Sequence, residues 1–437
     1  MAVQFLWVVL LALVLVVMAV GPTLRRSYPY VWWCLLGYPA TVLRMLLTWR
    51  RLTTAVGLAV PRRPARALFG EMVVKGDPLR PVPPRLGAPK LRRGGLEVVV
   101  RLHPGQVPEQ FAVVVDAVVH AWRVHAVRVT SDARGFVRVT ALAWDPLAAP
   151  SVPHSTRPVL LRALVGLLED GRLWVIDFRT APHWLIVGAT RSGKSTLIAS
   201  LVKQLAPQRV ALFGIDLKGG MELSLFEARL SALAASRAQA AQLLAELVAE
   251  AEARMELCRS VGARSIWELP AKLRKVPIVL IVDEVAELYL MATREEKAEV
   301  GEVSTNLLRL AQLGAALGVH LVIAGQRVGS DLGPGVTALR AQLAGRVCHR
   351  VSDPGTAEMA LGDLSKDALD AAQRITLAEQ GVAITAGDDG QWLRARSIHV
   401  VPDQARRAAR KYAHLAPAWP GLTTADDSDD SEEGVYL

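Results

Sequence analysis

Three short stretches carry residue types that could do phosphate chemistry. Residues 188–196 read GATRSGKST and fit the spacing G-x-x-x-x-G-K-[ST]. They follow an apolar run, HWLIV (183–187), and open a helical one, KSTLIASLVKQLA. In that strand–loop–helix context the backbone from Gly188 through Ala189, Thr190, Arg191, Ser192 and Gly193 can turn its amides toward phosphate oxygens, with the helix N-terminus adding favourable dipole. Lys194 would neutralise the β- and γ-phosphates of ATP, the Ser195 hydroxyl would hold Mg2+, and Thr196 completes the binding stretch. Further on, PIVLIVDE (277–284) ends an apolar strand in two acids. Asp283 would complete the Mg2+ shell and Glu284 would orient and polarise the attacking water, an arrangement that favours net hydrolysis. The run VHLVIAGQ (319–326) ends in Gln326, placed to sense the γ-phosphate. The plainer readings are a Gly-rich turn, a solvated strand end and a polar residue leaving a strand.

The elements around these residues decide between the two sets of readings. Apolar strand candidates at 183–188, 209–216, 277–284, 319–326 and 346–352 alternate with Ala-, Leu- and Glu-rich helical stretches such as 236–259 and 296–317. Continuous apolar strands alternating with helices predict an α/β fold whose parallel sheet is covered on both faces. A β-hairpin is expected within 381–400, turning at Asp389-Gly390. Ahead of this unit, LEVVVRL (96–102), PEQFAVVVDAVVHAW (108–122) and two strands around Arg134-Gly135 predict a small β-α-β-β domain. The domain plan is then an anchor at 1–50, a basic Pro/Arg-rich linker at 51–95, a small α+β domain at 96–150, the nucleotide motor at 151–402, and an acidic, disordered tail at 403–437.

Composition places the chain at a membrane. Hydrophobic residues make up 51% of 437, with mean hydropathy +0.27. Residues 3–20 contain one polar residue, Gln4, and are long enough to cross a bilayer core of roughly 30 Å. No charged side chain precedes that run and RRSYPY follows it, which suits a retained transmembrane segment better than a cleaved signal peptide. A second apolar run, Tyr30 to Trp49, reads equally as another span or as a helix lying in the interface. Residues 21–95 hold fourteen Lys or Arg against two acids, more than the whole net charge of +10. This matches the positive-inside rule and attraction to anionic lipid, with direct nucleic-acid binding as the other reading. The expected location is the cytoplasmic (inner) membrane, with the motor in the cytoplasm. Cys34, Cys258 and Cys348 form no C-x-x-C pair and suggest neither a disulfide framework nor a zinc site.

Taken in order, TAPHWLIVGATRSGKSTLIASLV, GIDLKGGMELSLF, PIVLIVDEVAELYL and LLRLAQLGAALGVHLVIAGQRVGSDL resemble the FtsK/SpoIIIE family of DNA translocases. The family's Pro-His, Ile-Asp-x-Lys and Gln-Arg are matched here by Pro182-His183, Ile215-Asp216 with Lys218, and Gln326-Arg327, and the likeness runs over roughly 96–400. The resemblance implies a RecA-like P-loop motor that forms a homo-hexameric ring around double-stranded DNA, with ATP sites between subunits. It also implies a trans arginine finger, for which Arg346 is the matching position and Arg350 the second candidate. The chain departs from the family at Gly325 and Val328, where Thr and Pro are usual, and in the KGG that replaces a Lys-x-x-Glu-Leu spacing. One phosphate loop, a short linker and no room for a sequence-reading winged helix resemble actinobacterial conjugative transfer proteins, working with other conjugation proteins. A chromosome-segregation translocase and a protein-secretion ATPase are the alternatives.

Overall fold

The structure, a computed structural model, describes residues 21–24, 27–62, 80–92, 94–131, 133–148, 150, 157–291, 296–362, 364–386 and 392–418. The apolar run 3–20, the acidic end of the tail and the Asp389-Gly390 turn lie outside the described residues. The chain divides into two compact units, Met1–Ala148 and Ala149–Leu437.

In the first unit, β1 (Val60–Arg62) pairs antiparallel with β2 (Arg80–Val82). A second sheet contains β3 (Arg85–Leu86), β4 (Lys90–Arg92), β5 (Gly95–Arg101), β6 (Ala126–Thr130) and β7 (Phe136–Leu142). Its order is β3-β5-β7-β6, with β4 also on β5, and every pairing is antiparallel. Leu96, Val98 and Val100 alternate along β5 and are buried on one face, the period of two that a half-covered strand requires. The expected helix over 108–122 is broken at Val114 (φ −97°, ψ 11°) into Pro108–Val113 and Val115–Trp122.

Two boundaries in this unit differ from expectation. Within residues 80–92, read as linker, three short strands form, because 80–82 pairs with β1 and 85–86 and 90–92 pair with β5. The helix Pro29–Ala55 extends past residue 50 and packs on the sheet. Trp33 Nε1 donates to Gly95 O (3.0 Å), Tyr38 Oη to Pro89 O (2.8 Å) and Trp49 Nε1 to Pro84 O (2.8 Å). Trp33, Met45 and Trp49 thereby join the core of Leu96, Val98 and Trp122.

The second unit is built on one ten-stranded sheet. Its strands are β8 (Arg162–Leu168), β9 (Leu173–Asp177), β10 (His183–Val187), β11 (Ala211–Ile215), β12 (Ala232–Ala234), β13 (Ile278–Val282), β14 (Val319–Gly325), β15 (Gly345–His349), β16 (Val382–Ala386) and β17 (Trp392–Ser397). The order is β12-β11-β13-β14-β10-β15-β16-β17-β8-β9. The six strands from β12 to β15 are parallel, and β16 onward is antiparallel. Along β13, Ile278, Leu280 and Val282 enter one core while Val279 and Ile281 enter the other. Burial on both faces explains why these strands show no alternation in sequence. The expected hairpin is β16–β17. Two strands that periodicity did not single out, β8 and β9, extend the sheet beyond it. The helix Pro402–Lys411 occupies the start of the expected tail, with Ala405 and Ala409 buried in the core. Small residues four apart made that contact invisible to a reading based on large apolar side chains.

Three buried histidines tie the sheet together. His183 Nδ1 accepts from Leu321 N (3.1 Å), whereas His320 Nδ1 donates to Pro182 O (3.2 Å) and His349 Nδ1 to Val382 O (2.9 Å). Burial pushes their pKa values down from 6.5 to about 4, about 3 and about 4 respectively. Below pH 6.5 the unfolded chain therefore binds protons that the folded chain refuses, and stability falls as pH falls toward 4. Three such groups predict a loss on the order of 3 kcal/mol between about pH 6 and 5. Urea midpoints across that window measure it, and a flat profile would show that these rings are not neutral in the fold.

Candidate functional site

The carboxyl ends of β10, β11, β13 and β14 lie side by side, since Val187 pairs with Gly325, Ile215 with Val282 and Val282 with Ile323. Each strand ends in one part of the cluster, at the edge where open α/β sheets bind ligands. From β10 the chain turns through Gly188–Gly193 into the helix Lys194–Leu205. Gly188 N donates to Gly325 O (3.2 Å), Ala189 N to Arg350 O (2.9 Å) and Ser192 N to Ala189 O (3.1 Å). The turn needs left-handed backbone at Arg191 (φ 61°) and Gly193 (φ 114°). A side chain at Gly193 would place Cβ 2.4 Å from Gly381 Cα. Gly188 is equally confined, with a Cβ there meeting Ser192 Oγ at 2.4 Å. Thr190 and Arg191 are exposed, and Lys194, Ser195 and Thr196 are half-buried.

Asp283 and Glu284 follow β13 and are nearly buried. Lys194 Nζ donates to Asp283 O and lies 3.7 Å from Asp283 Oδ1 and 3.5 Å from Glu284 Oε2. The fold thus brings the loop lysine onto both acids. Burial raises the Asp283 pKa above the ordinary carboxylate value, the Lys194 ammonium opposes that, and Asp216 and Glu222 add to it. Asp283 Oδ1 is buried with no hydrogen-bond donor, so this oxygen depends on a cation for its stabilisation. Gln326 enters through its backbone: its N–H donates to Glu284 Oε1 (3.1 Å), and its side chain is exposed.

The departure at Gly325 has a physical reason here. A Cβ at this position would come within 3.1 Å of Glu284 Oε1 and 3.2 Å of Val328 Cγ2, so the missing side chain leaves room for the carboxylate and for the buried Val328. The KGG stretch is likewise ordered by Asp216, whose carboxylate accepts from the backbone N–H groups of Lys218, Glu222 and Leu223. Gly219 and Gly220, at φ 75° and 72°, make the tight turn. That turn aims Lys218 Nζ to within 3.4 Å of Glu284 Oε2. Lys218 was marked in the sequence only as part of the family-like Ile-Asp-x-Lys; its approach to Glu284 is what the spacing did not foretell.

Arg346 and Arg350 stand apart from the acids. Arg346 is the second residue of β15, is 9% exposed, and its guanidinium donates to Arg340 O (2.9 Å). Arg350 Nη2 donates to Thr190 O of the loop in the same chain (3.2 Å).

With this geometry in place, comparison with known proteins is direct. Residues 152–277 and 266–330 match the model of the FtsK/SpoIIIE family, and residues 16–143 match that of the actinomycete conjugal transfer protein N-terminal domain. The chain is 40% identical over 391 residues to the transfer protein TraSA of Streptomyces ambofaciens, covering 87% of this chain and 94% of that protein. It is 34% identical over 216 residues to the DNA translocase FtsK of Sporosarcina ureae, covering 45% of this chain and 26% of that one. Among solved structures, the conjugation coupling protein TcpA of pCW3, determined with ATPγS, shares its fold at TM-score 0.53 and 20% identity, over 83% of this chain and 98% of that one.

The crowding at Gly193 generates a test of the loop. Gly193→Ala adds a methyl against Gly381 backbone at a φ that alanine avoids. ATP affinity is expected to fall about 5- to 150-fold, for a strain of roughly 1–3 kcal/mol, while circular dichroism stays unchanged. Unaltered ATP binding, measured by fluorescent-nucleotide titration, would show that the loop does not contact phosphate.

Proposed function

The chain belongs to the FtsK/SpoIIIE family, and we propose that it spends ATP to move double-stranded DNA in conjugative transfer. The observation that carries this reading is the meeting of Lys194, Asp283, Glu284 and Lys218 at the end of one parallel sheet. In the proposed roles, backbone from Gly188 to Gly193 cradles the phosphates, and Lys194 leaves the acids to pair with the β- and γ-phosphates. Glu284, freed of that lysine, orients a water for attack. The Gln326 N–H on Glu284 Oε1 ties the carboxylate to the end of β14, so a shift of the segment after β14 moves the group that positions the water.

Ser195 and the donorless Oδ1 of Asp283 are the residues suited to hold Mg2+. The metal would supply charge neutralisation at the phosphate oxygens. For assembly we propose a homo-hexameric ring around the duplex, with an arginine of the neighbouring subunit completing each ATP site. Arg346 serves across an interface only by giving up Arg340 O, and Arg350 only by giving up Thr190 O. Anchoring at the cytoplasmic membrane through the N-terminal segment is supported by the apolar, Arg-flanked residues before position 60 and by the helix Pro29–Ala55.

ATP turnover by the full chain, measured with and without linear duplex DNA, tests the reading. Duplex DNA is expected to stimulate turnover; its failure to do so, together with no DNA binding, would remove the translocase assignment. Lys194→Ala should abolish nucleotide-dependent activity. Glu284→Gln should retain ATP binding and lose about 10²–10⁴-fold in turnover, because the amide does not take a proton from water. Parental turnover in Glu284→Gln would assign the water to another residue.

A further inference from the structure

The helix Pro29–Ala55 has two faces with different fates. One is held on the sheet by Trp33, Met45 and Trp49. The other exposes Val31, Leu35, Leu43, Leu46 and Leu47, four of them more than half accessible. The exposed row passes a π-helical turn, Trp33–Gly37. Leu35 lies within that turn, Val31 before it and Leu43, Leu46 and Leu47 after it. The aliphatic row ends at two exposed arginines, Arg50 and Arg51. Along its flank runs a cavity of about 480 Å³ lined by Trp32, Trp33, Thr41, Arg44 and Arg123, and no carboxylate is among the described residues that line it.

We propose that this helix lies in the plane of an anionic bilayer, with its aliphatic face in the acyl boundary and a lipid headgroup phosphate seated between Arg44 and Arg123. The proposal rests on the membrane association proposed above and specifies how residues 29–55 meet the lipid. A hydrophobic face beside cationic side chains is the pattern of interfacial helices, whose buried face reaches about 5–10 Å into the headgroup and acyl boundary. Arg50 and Arg51 reach back to phosphates at the end of the row. Crossing the bilayer instead would carry the attached sheet with it. The edge strands β3 and β4 and the Glu97 carboxylate, paired to Arg92 (2.7 Å) and Arg138 (3.2 Å), would then enter hydrocarbon, where unpaired backbone groups cost several kcal/mol each.

The test uses the full chain carrying Cys34→Ser, since Cys258 and Cys348 are buried, with single cysteines introduced as Leu35→Cys or Leu46→Cys and labelled with an environment-sensitive fluorophore. On vesicles of phosphatidylglycerol and phosphatidylcholine, depth-dependent quenching is expected to place both labels at one shallow depth. A span would separate their depths by about 16 Å, the rise over eleven residues, and would overturn the proposal while leaving membrane association intact. Flotation with vesicles but no lipid contact at either label would assign the face to another copy of the chain or to a protein segment, and equally overturn it. Absence of flotation would fail the membrane reading itself. Arg44→Gln with Arg123→Gln should weaken binding to phosphatidylglycerol vesicles roughly fivefold per charge removed and leave the weaker binding to phosphatidylcholine unchanged. Equal losses on both lipids would refute the headgroup seat.

Discussion

The lateral register of β10, β13 and β14 is the constraint on which the rest of the motor unit depends. Lys194 and Glu284 are far apart in the chain, and no local preference brings them together. They meet because Val187 pairs with Gly325 and Val282 with Ile323, so that β10 and β14 end level while β13 stops two residues short, which sets Glu284 beside Gly325. The strands hold that register through apolar side chains packed on both faces. The histidines add polar pins from below: His183 accepts from β14, and His320 donates to the carbonyl just before β10. Their neutral state in the core, and the unfavourable cost of protonating them there, make the same register sensitive to acid.

At the site, three positive or donor groups converge on one carboxylate. Glu284 meets Lys194, Lys218 and the Gln326 N–H, each from a different strand end. Such an arrangement makes the glutamate a reporter of its surroundings. In the proposed cycle, binding of a nucleotide would draw Lys194 toward phosphate, and movement of the segments after β11 and β14 would change the other two partners. Chemistry at the γ-phosphate and movement of those segments would then be coupled through the short polar contacts at Glu284.

Much of this was legible in the sequence, and the failures have physical causes. The phosphate loop, the acid pair and the parallel strands were readable because each is a local pattern: a glycine spacing, or an apolar run bounded by polar residues. Lys218 stood out only through the Ile-Asp-x-Lys likeness, and its approach to Glu284 was not legible, because it depends on Asp216 folding a glycine turn around its own carboxylate. Gln326 was read by its side chain, whereas its backbone makes the contact. Residues 80–92 look like linker because Pro and Arg dominate them; the pairing of 80–82 with β1 and of 85–86 and 90–92 with β5 is a property of the sheet edge and not of their composition. The helix Pro402–Lys411 was hidden because its buried face is alanine. The second apolar run was ambiguous between span and interface for a related reason: an indole that seeks lipid headgroups and an indole that donates to Gly95 O are the same residue in sequence.

The central claim is that ATP turnover at this strand edge moves the protein along duplex DNA. Displacement of a triplex-forming oligonucleotide from a linear duplex measures that movement directly, independent of whether DNA stimulates hydrolysis. The full chain with ATP is expected to strip the third strand, and the same protein carrying Glu284→Gln is expected to bind DNA and leave the strand in place. Duplex-stimulated hydrolysis with no displacement at any distance from the loading end would contradict the account.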